Sequence, residues 1–226
     1  MKKTKRYFFQ AAVWLALFLL FTLLVKTIDV RPAGPRGSTV GFAAMNTAVF
    51  TALGGYHPFW YTLTNRLGLL PVAIVICFAL QGLVQLLRRR SLKKVDADLL
   101  LRGVLYALIF AAYVFFELCI VNYSPAEPDG ELKASYPSSH TMLAVCVMST
   151  TDLQLRDRVK RTALRQLAVG ACTVLLAAIV VGRLISGVHW FTDIIGALLL
   201  SAALISAYRG GIAAIKHREI GQRSKP

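Results

Sequence analysis

GRLISGVHWFTD, residues 182–193, places an arginine, a histidine and an aspartate in a chain that is 56% hydrophobic. The residues around it form two long apolar segments, at about 165–186 and at 188–208. Ionisable groups at membrane depth cost free energy, and they usually mark a functional site. The stretch therefore indicates a membrane protein, and Arg183, His189 and Asp193 are its first candidates for chemistry.

The hydropathy of the whole chain predicts several membrane spans. Its mean hydropathy of +0.59 is too high for an ordinary soluble domain. A bilayer core takes roughly 20 mostly apolar residues per helix. Six windows qualify: residues 7–28, 67–87, 103–121, about 138–155, about 165–186 and 188–208. We predict an all-α, six-span helical bundle that forms one polytopic membrane domain over residues 1–226. The first window is interpreted as an anchor, because no small-residue cleavage site follows it.

The basic residues predict the orientation of the bundle. The formal net charge is +15, from 26 Lys and Arg against 11 Asp and Glu. The cations form four blocks outside the windows, at residues 2–6, 88–94, 156–165 and 216–225. With six spans these blocks all lie on one side, which the positive-inside rule identifies as the cytoplasm. We therefore predict cytoplasmic termini, membrane lipids as partners and no nucleic acid partner.

The longest loop of the predicted outer face covers residues 29–66. Its apolar residues 40–55, VGFAAMNTAVFTALGG, predict a short outer-face helix. This helix lies in the interface, re-enters the membrane, or packs as a lid over the outer surface. His57 lies in an aromatic-rich stretch that is typical of a membrane interface, so we exclude it from the predicted site.

The four cysteines each lie inside a predicted span, and no C-x-x-C spacing occurs. We interpret them as small packing residues. The sequence accordingly predicts no metal and no cofactor, and it gives no basis for an oligomeric state.

A second motif, YPSSH at residues 136–140, lies at the outer end of the fourth window. Pro137 suits the first position of a helix, and Ser138 or Ser139 suits its cap. A helix start presents free N–H groups and the positive end of the helix dipole, which favour a phosphate. We expect His140 at the edge of this anion site, on the same side of the membrane as Arg183.

His189 and Asp193 are four residues apart, which would place them on one face of a helix. A carboxylate beside an imidazole fixes its tautomer and favours its positively charged form. The alternative is that His189 only caps the last helix while Trp190 anchors it at the interface. The combination with Arg183 favours a site.

Together, the two motifs resemble the type 2 phosphatidic acid phosphatase superfamily of integral membrane lipid phosphatases. The second motif of that family, P-S-G-H, is similar to residues 137–140. Its third motif, S-R-x5-H-x3-D, is similar to residues 182–193. The motifs cover only about residues 117–193, whereas the six predicted spans resemble the topology of the family over most of the chain.

The resemblance implies a metal-independent phosphatase that forms a phosphohistidine. His189 would attack phosphorus while Asp193 orients its ring, and His140 would protonate the leaving oxygen and then activate water. The implied phosphate-binding groups are Arg183 and the backbone N–H groups near Ser138 and Ser139.

The first motif of the family, K-x6-R-P, is not reproduced. At the same spacing the sequence has Glu117 and Ser124-Pro125, so both cations of the motif are missing. Lys133, in the loop before YPSSH, is predicted to compensate as a phosphate ligand. The loss implies a slow enzyme or one that acts on a different headgroup.

The implied substrate is a lipid phosphate at the extracytoplasmic face. Candidates are phosphatidic acid, lysophosphatidic acid, phosphatidylglycerol phosphate and polyprenyl diphosphate. Two other functions stay open at this point. One is a non-catalytic relative that binds phospholipid headgroups. The other is a small-solute transporter, for which Glu117 and Asp152 are acidic residues in or near spans, although inverted repeats are not evident.

Overall fold

The fold is described by a computed structural model over residues 2–223, apart from the side chains of residues 157, 158 and 219–223. It contains the α-helices α1 (Lys2–Thr27), α2 (Ala43–Ala52), α3 (Pro58–Arg89), α4 (Ala97–Leu118), α5 (Ser139–Arg158), α6 (Thr162–Ile185) and α7 (Phe191–Arg223). Two 3-10 turns lie at Pro35–Gly37 and Leu92–Lys94. No β-strand occurs in the described residues, so the predicted all-α class is confirmed.

Two predicted boundaries are wrong. α3 begins at Pro58, so the outer loop ends nine residues earlier than the sequence suggested. Proline is favoured at the first position of a helix, because its missing N–H would have no helical partner there. The last helix begins at Phe191 rather than at residue 188, so His189 lies in the turn before the helix.

The lipid-facing helices are the most apolar ones. α1, α3, α4, α6 and α7 are long and apolar enough to cross a membrane. Large apolar side chains on them are exposed, including Leu80 (55%), Phe110 (66%) and Val174 (70%). So much exposed apolar surface suits contact with lipid. The chain is therefore a multi-pass membrane protein.

The fourth predicted span, α5, is not among these five helices. Side chains along it are fully buried, including Thr141, Met142, Cys146 and Thr150. α5 packs on α3, α6 and α7. Because its neighbours are other helices, polar residues such as Thr141 and Thr150 are tolerated, and its composition does not identify it as a span.

The segment before α5 is fixed to the core by Tyr136. Its side chain is 1% exposed, and its hydroxyl lies 2.7 Å from Thr22 Oγ1. Its ring packs on Phe18 and Phe116. A Cβ on Gly196 would lie 2.6 Å from this ring, so only glycine lets α7 approach it. The first residues of α5 are thereby held beside the start of α7.

The basic blocks gather at one end of the bundle. Lys2 and Lys216, from the first and last blocks, line one cavity with Asp96, and Arg89 of the second block binds the Asp96 carboxylate. The residues of the predicted site lie at the other end of the bundle. α4 and α7 each extend from the basic residues to the predicted site, which shows that the two groups are a helix length apart. The final residues of the block at 216–225 lie outside the described residues.

Candidate active site

Arg183 lies in the last turn of α6 and is 5% exposed. One terminal nitrogen donates to Asn65 Oδ1 at 2.7 Å, and the other lies 3.2 Å from His189 Nε2. The ring of Tyr61 is 5.8 Å from the guanidinium carbon, and Nε has no hydrogen-bond partner among the described residues. A buried guanidinium whose contacts are neutral favours the approach of an anion, and its fork of donors suits a phosphate.

His189 is held in the turn between α6 and α7. Its Nδ1 lies 3.1 Å from the carbonyl oxygen of Ser135 and 3.7 Å from Asp193 Oδ2. A carbonyl oxygen only accepts, so the proton is assigned to Nδ1 and the lone pair of Nε2 faces Arg183.

Burial lowers the pKa of His189 from its usual value of about 6.5. Asp193 and the Ser135 carbonyl act in the opposite direction, and the positive charge of Arg183 lowers the pKa further. Since the pKa is lowered, the ring is neutral at neutral pH. A neutral ring with an available Nε2 lone pair is the form that a nucleophile requires.

Asp193 lies in the first turn of α7 and is fully buried. Its Oδ2 accepts the N–H of Trp190 at 2.8 Å, and Asn122 Nδ2 lies 3.3 Å from its Oδ1. The predicted helical face shared with His189 is therefore wrong, because His189 precedes the helix. The two side chains meet because the carboxylate caps the start of α7, where negative charge also complements the helix dipole.

The start of α5 has one of the two predicted caps, Ser138, but its first helical residue is Ser139 rather than Pro137. Ser138 is the cap, and its Oγ accepts the N–H of Thr141. Because Ser138 is the cap, Pro137 lies before the helix. The N–H of Ser138 donates to the Asp193 carbonyl at 3.1 Å. The N–H groups of Ser139 and His140, in this first turn, have no carbonyl partner within the helix, so they are available to an anion.

His140 lies in the first turn of α5 and packs against α3. A Cβ on Gly68 would lie 3.0 Å from His140 Cδ2. Ser139, its neighbour in the chain, lines one pocket with His189. The structure thus brings two histidines, one arginine and one helix start to the same end of the bundle.

The positions of the missing first motif lie close to His189. Ser124 Oγ donates to the carbonyl of Val188 at 2.9 Å, which ties the loop before α5 to the residue preceding His189. Glu117 lines a narrow pocket together with Ser139 and His189. A carboxylate and a small hydroxyl therefore stand where the resemblance implies two cations.

Lys133 forms ion pairs within its own loop. Its side chain is half exposed, and Nζ lies 2.6 Å from Asp129 Oδ2 and 3.8 Å from Glu131 Oε2. The hydrogen bond to Asp129 raises the pKa of Lys133. The compensating role predicted for Lys133 gains no support from these contacts, because its ammonium is paired with carboxylates of its own loop.

Two buried asparagines support the site and were missed in the sequence. Asn46 of α2 exchanges hydrogen bonds with Thr192, next to Asp193. Asn122 donates to Asp193 and accepts the N–H of Gly41. The short helix predicted within residues 40–55 is present as α2, and it packs over the start of α7. Its one asparagine was a usable signal, because an amide in a buried apolar segment needs partners.

Replacing Gly187 by alanine is expected to destabilise the protein by roughly 2 kcal/mol or more. Gly187 has a φ of +70°, and a Cβ there would lie 2.2 Å from the carbonyl oxygen of Gly55. The measurement is thermal unfolding in detergent. The matched control is Gly103→Ala on α4, where no heavy atom lies within 4 Å of the added Cβ. Equal melting temperatures for the two variants would contradict this account.

Comparison with known protein families gives a match to the segment that contains this site. The model of the PAP2 superfamily matches residues 114–213, which include Glu117, His140, Arg183, His189 and Asp193. This segment, which is somewhat less than half of the chain, is similar to the PAP2 superfamily. The resemblance predicted from the two motifs is thereby confirmed.

The PAP2 assignment agrees with the fold of the whole chain. The structure is similar to the crystal structure described as the first transmembrane PAP2 type phosphatidylglycerolphosphate phosphatase from Bacillus subtilis. The TM-score is 0.67 at 17% identity, covering 92% of this chain and 98% of that chain. No match was found among the curated proteins. The PAP2 match thus lies on a fold of membrane-crossing helices.

Proposed function

We propose that this protein hydrolyses a phosphomonoester or a diphosphate on a lipid, through a phosphohistidine at His189 and without a metal ion. One observation carries the proposal. The buried guanidinium of Arg183, whose described contacts are neutral, faces the Nε2 lone pair of His189. A phosphoryl group between them would meet a nucleophile and a matching charge.

Each of these side chains has a defined role in the proposed reaction. The Nε2 lone pair of His189 forms a bond to phosphorus while the bond to the lipid oxygen breaks. That oxygen takes a proton from the imidazolium form of His140, which becomes neutral. A water molecule then attacks phosphorus and gives a proton to His140, and the N–P bond breaks to release phosphate and neutral His189. Arg183 holds the phosphoryl oxygens, and Asp193 stabilises the positive ring of the intermediate.

The proposed site faces the extracytoplasmic side, with both termini in the cytoplasm. The clustering of basic side chains at the opposite end of the bundle supports this orientation. Six crossings require α5 to cross as well, shielded from lipid by its neighbours. The acyl chains of a substrate would then stay in the bilayer while its phosphate reaches His189.

The function is tested with purified protein in detergent and a panel of lipid phosphates. The panel contains phosphatidic acid, lysophosphatidic acid, phosphatidylglycerol phosphate and polyprenyl diphosphate. We expect phosphate release from at least one of them, and undiminished release in the presence of EDTA. Release from none of the four would contradict a lipid phosphatase, and loss of activity with EDTA would contradict metal independence.

Replacing Arg183 by lysine is expected to lower kcat/KM roughly a hundredfold. Lysine keeps the charge but loses the planar fork that holds two oxygens at once. The measurement is steady-state kinetics on the best lipid of the panel. Arg66→Lys serves as the control, because Arg66 is an exposed arginine on α3. Wild-type kinetics in Arg183→Lys would remove Arg183 from the proposed site.

One observation favours a second candidate, a non-catalytic relative that binds phospholipid headgroups. Glu117 lines the pocket beside His189, where a carboxylate opposes a doubly negative phosphate. This candidate predicts saturable binding of phosphatidic acid without release of phosphate. The same panel separates the two functions, because hydrolysis by wild-type protein excludes the binding-only role.

A further inference from the structure

A second buried arginine, Arg102, lies near the start of α4, at the end of the bundle opposite His189. It is 2% exposed. Its terminal nitrogens donate to Gln154 Oε1 at 2.5 Å and to the hydroxyl of Tyr208 at 3.1 Å. The guanidinium carbon lies 4.0 Å from the centroid of the Phe78 ring. Nε is buried and has no hydrogen-bond partner among the described residues.

The contacts of Arg102 in the described part of the chain are thus with neutral groups. Burying a charge costs free energy that neutral hydrogen bonds only partly return, and an opposite charge is the usual compensation. Arg183 shows the same combination of burial, neutral contacts and an Nε without a partner. The surroundings of Arg102 therefore suit an anion.

Arg102 forms part of the wall of a cavity of about 1200 Å³. Five basic and two acidic side chains line this cavity: Lys2, Lys3, Arg102, Arg209 and Lys216, with Asp96 and Asp98. Apolar side chains complete the wall, among them Leu153, Ile212 and Ile215. An excess of positive charge beside apolar walls fits an amphiphile with a negative head and hydrocarbon chains.

We propose that this cavity binds an anionic phospholipid, whose phosphate lies against Arg102. Lys2, Lys3 and Arg209 add attraction at the mouth, and the acyl chains lie along the apolar wall. The lipid compensates the buried charge and stabilises the fold. This inference is independent of the phosphatase activity, because the cavity and the His189 site are at opposite ends of the bundle.

Thermal unfolding of the full chain in a neutral detergent tests the proposal, with phosphatidylglycerol or phosphatidylcholine added. We expect phosphatidylglycerol to raise the melting temperature saturably and phosphatidylcholine to leave it unchanged. Inorganic phosphate forms a third arm. Equal stabilisation by phosphatidylcholine, or full stabilisation by inorganic phosphate alone, would overturn the assignment to an anionic lipid.

The Arg102→Met variant distinguishes a lipid-binding role of Arg102 from a purely structural one. Methionine keeps an unbranched chain but removes the buried charge, so the melting temperature without phosphatidylglycerol should stay equal or rise. The apparent affinity for phosphatidylglycerol should fall at least about tenfold. If Arg102→Met melts lower both with and without the lipid, by the same amount, the arginine is structural and the proposal fails.

Two double variants keep the test decisive if Arg102→Met does not fold. Replacing Lys2 and Lys3 by alanine should weaken phosphatidylglycerol binding roughly fivefold per lysine. Lys93 and Lys94 are exposed lysines of the same end that do not line the cavity, so replacing them should leave binding unchanged. Equal effects of the two pairs would indicate general surface attraction and overturn the site. His189→Ala should bind the lipid as wild type does, so this proposal and the phosphatase proposal fail separately.

Discussion

Replacing His189 by alanine is expected to reduce lipid phosphate release roughly a thousandfold or more. Without the imidazole no N–P bond forms, and water has to attack the substrate directly. Arg183 and the N–H groups at the start of α5 remain in place, so substrate binding should change far less than kcat. The measurement is steady-state kinetics on the preferred lipid, together with thermal unfolding to show that the variant is folded.

The control for this variant is a histidine at the same end of the molecule. His57 Nε2 lies 2.7 Å from the carbonyl oxygen of Leu53, and a glutamine there keeps a donor for this carbonyl. His57→Gln should therefore keep nearly wild-type kinetics. Equal rates for wild type and a folded His189→Ala would show that His189 is not the nucleophile.

Replacing His140 by alanine is expected to slow hydrolysis of a lipid phosphate by a factor of roughly 100 to 10,000. An alkoxide leaving group needs a proton, whereas nitrophenolate leaves without one. With p-nitrophenyl phosphate, His140→Ala should therefore form the phosphohistidine readily but hydrolyse it slowly. Stopped-flow absorbance should show a burst of one nitrophenolate per enzyme, followed by slow turnover.

The burst distinguishes the two histidines. His189→Ala should show no burst, because the intermediate does not form. If His140→Ala slows nitrophenolate release from the first turnover onward, then His140 does not act as the proton donor. A wild-type steady state in His140→Ala would remove it from the mechanism altogether.

Much of the bundle could be predicted because lipid contact imposes apolar composition. α1, α3, α4, α6 and α7 were evident for this reason. α5 carried a weaker signal, since its buried face meets other helices and includes Thr141 and Thr150. The position of His189 outside α7 was not predicted. It depends on Gly187 and on the cap formed by Asp193, which the four-residue spacing did not reveal.

The site was predictable where its residues are close together in the sequence. Arg183, His189 and Asp193 come from one stretch, whereas Asn46 and Asn122 reach Thr192 and Asp193 from distant segments. Contacts between such distant residues produce no spacing pattern in the sequence from which they could be predicted. The ion pairs of Lys133 could have been predicted, since Asp129 and Glu131 lie within four residues of it and pair with its ammonium.

The most direct measurement is to trap the covalent intermediate during turnover. An alkaline quench preserves phosphohistidine, and mass spectrometry of the digested protein locates the phosphoryl group. The account predicts a phosphoryl group on His189 in the wild type, more of it in His140→Ala and none in His189→Ala. Phosphate release without any phosphoryl group on His189, or with one on another residue, would contradict the account.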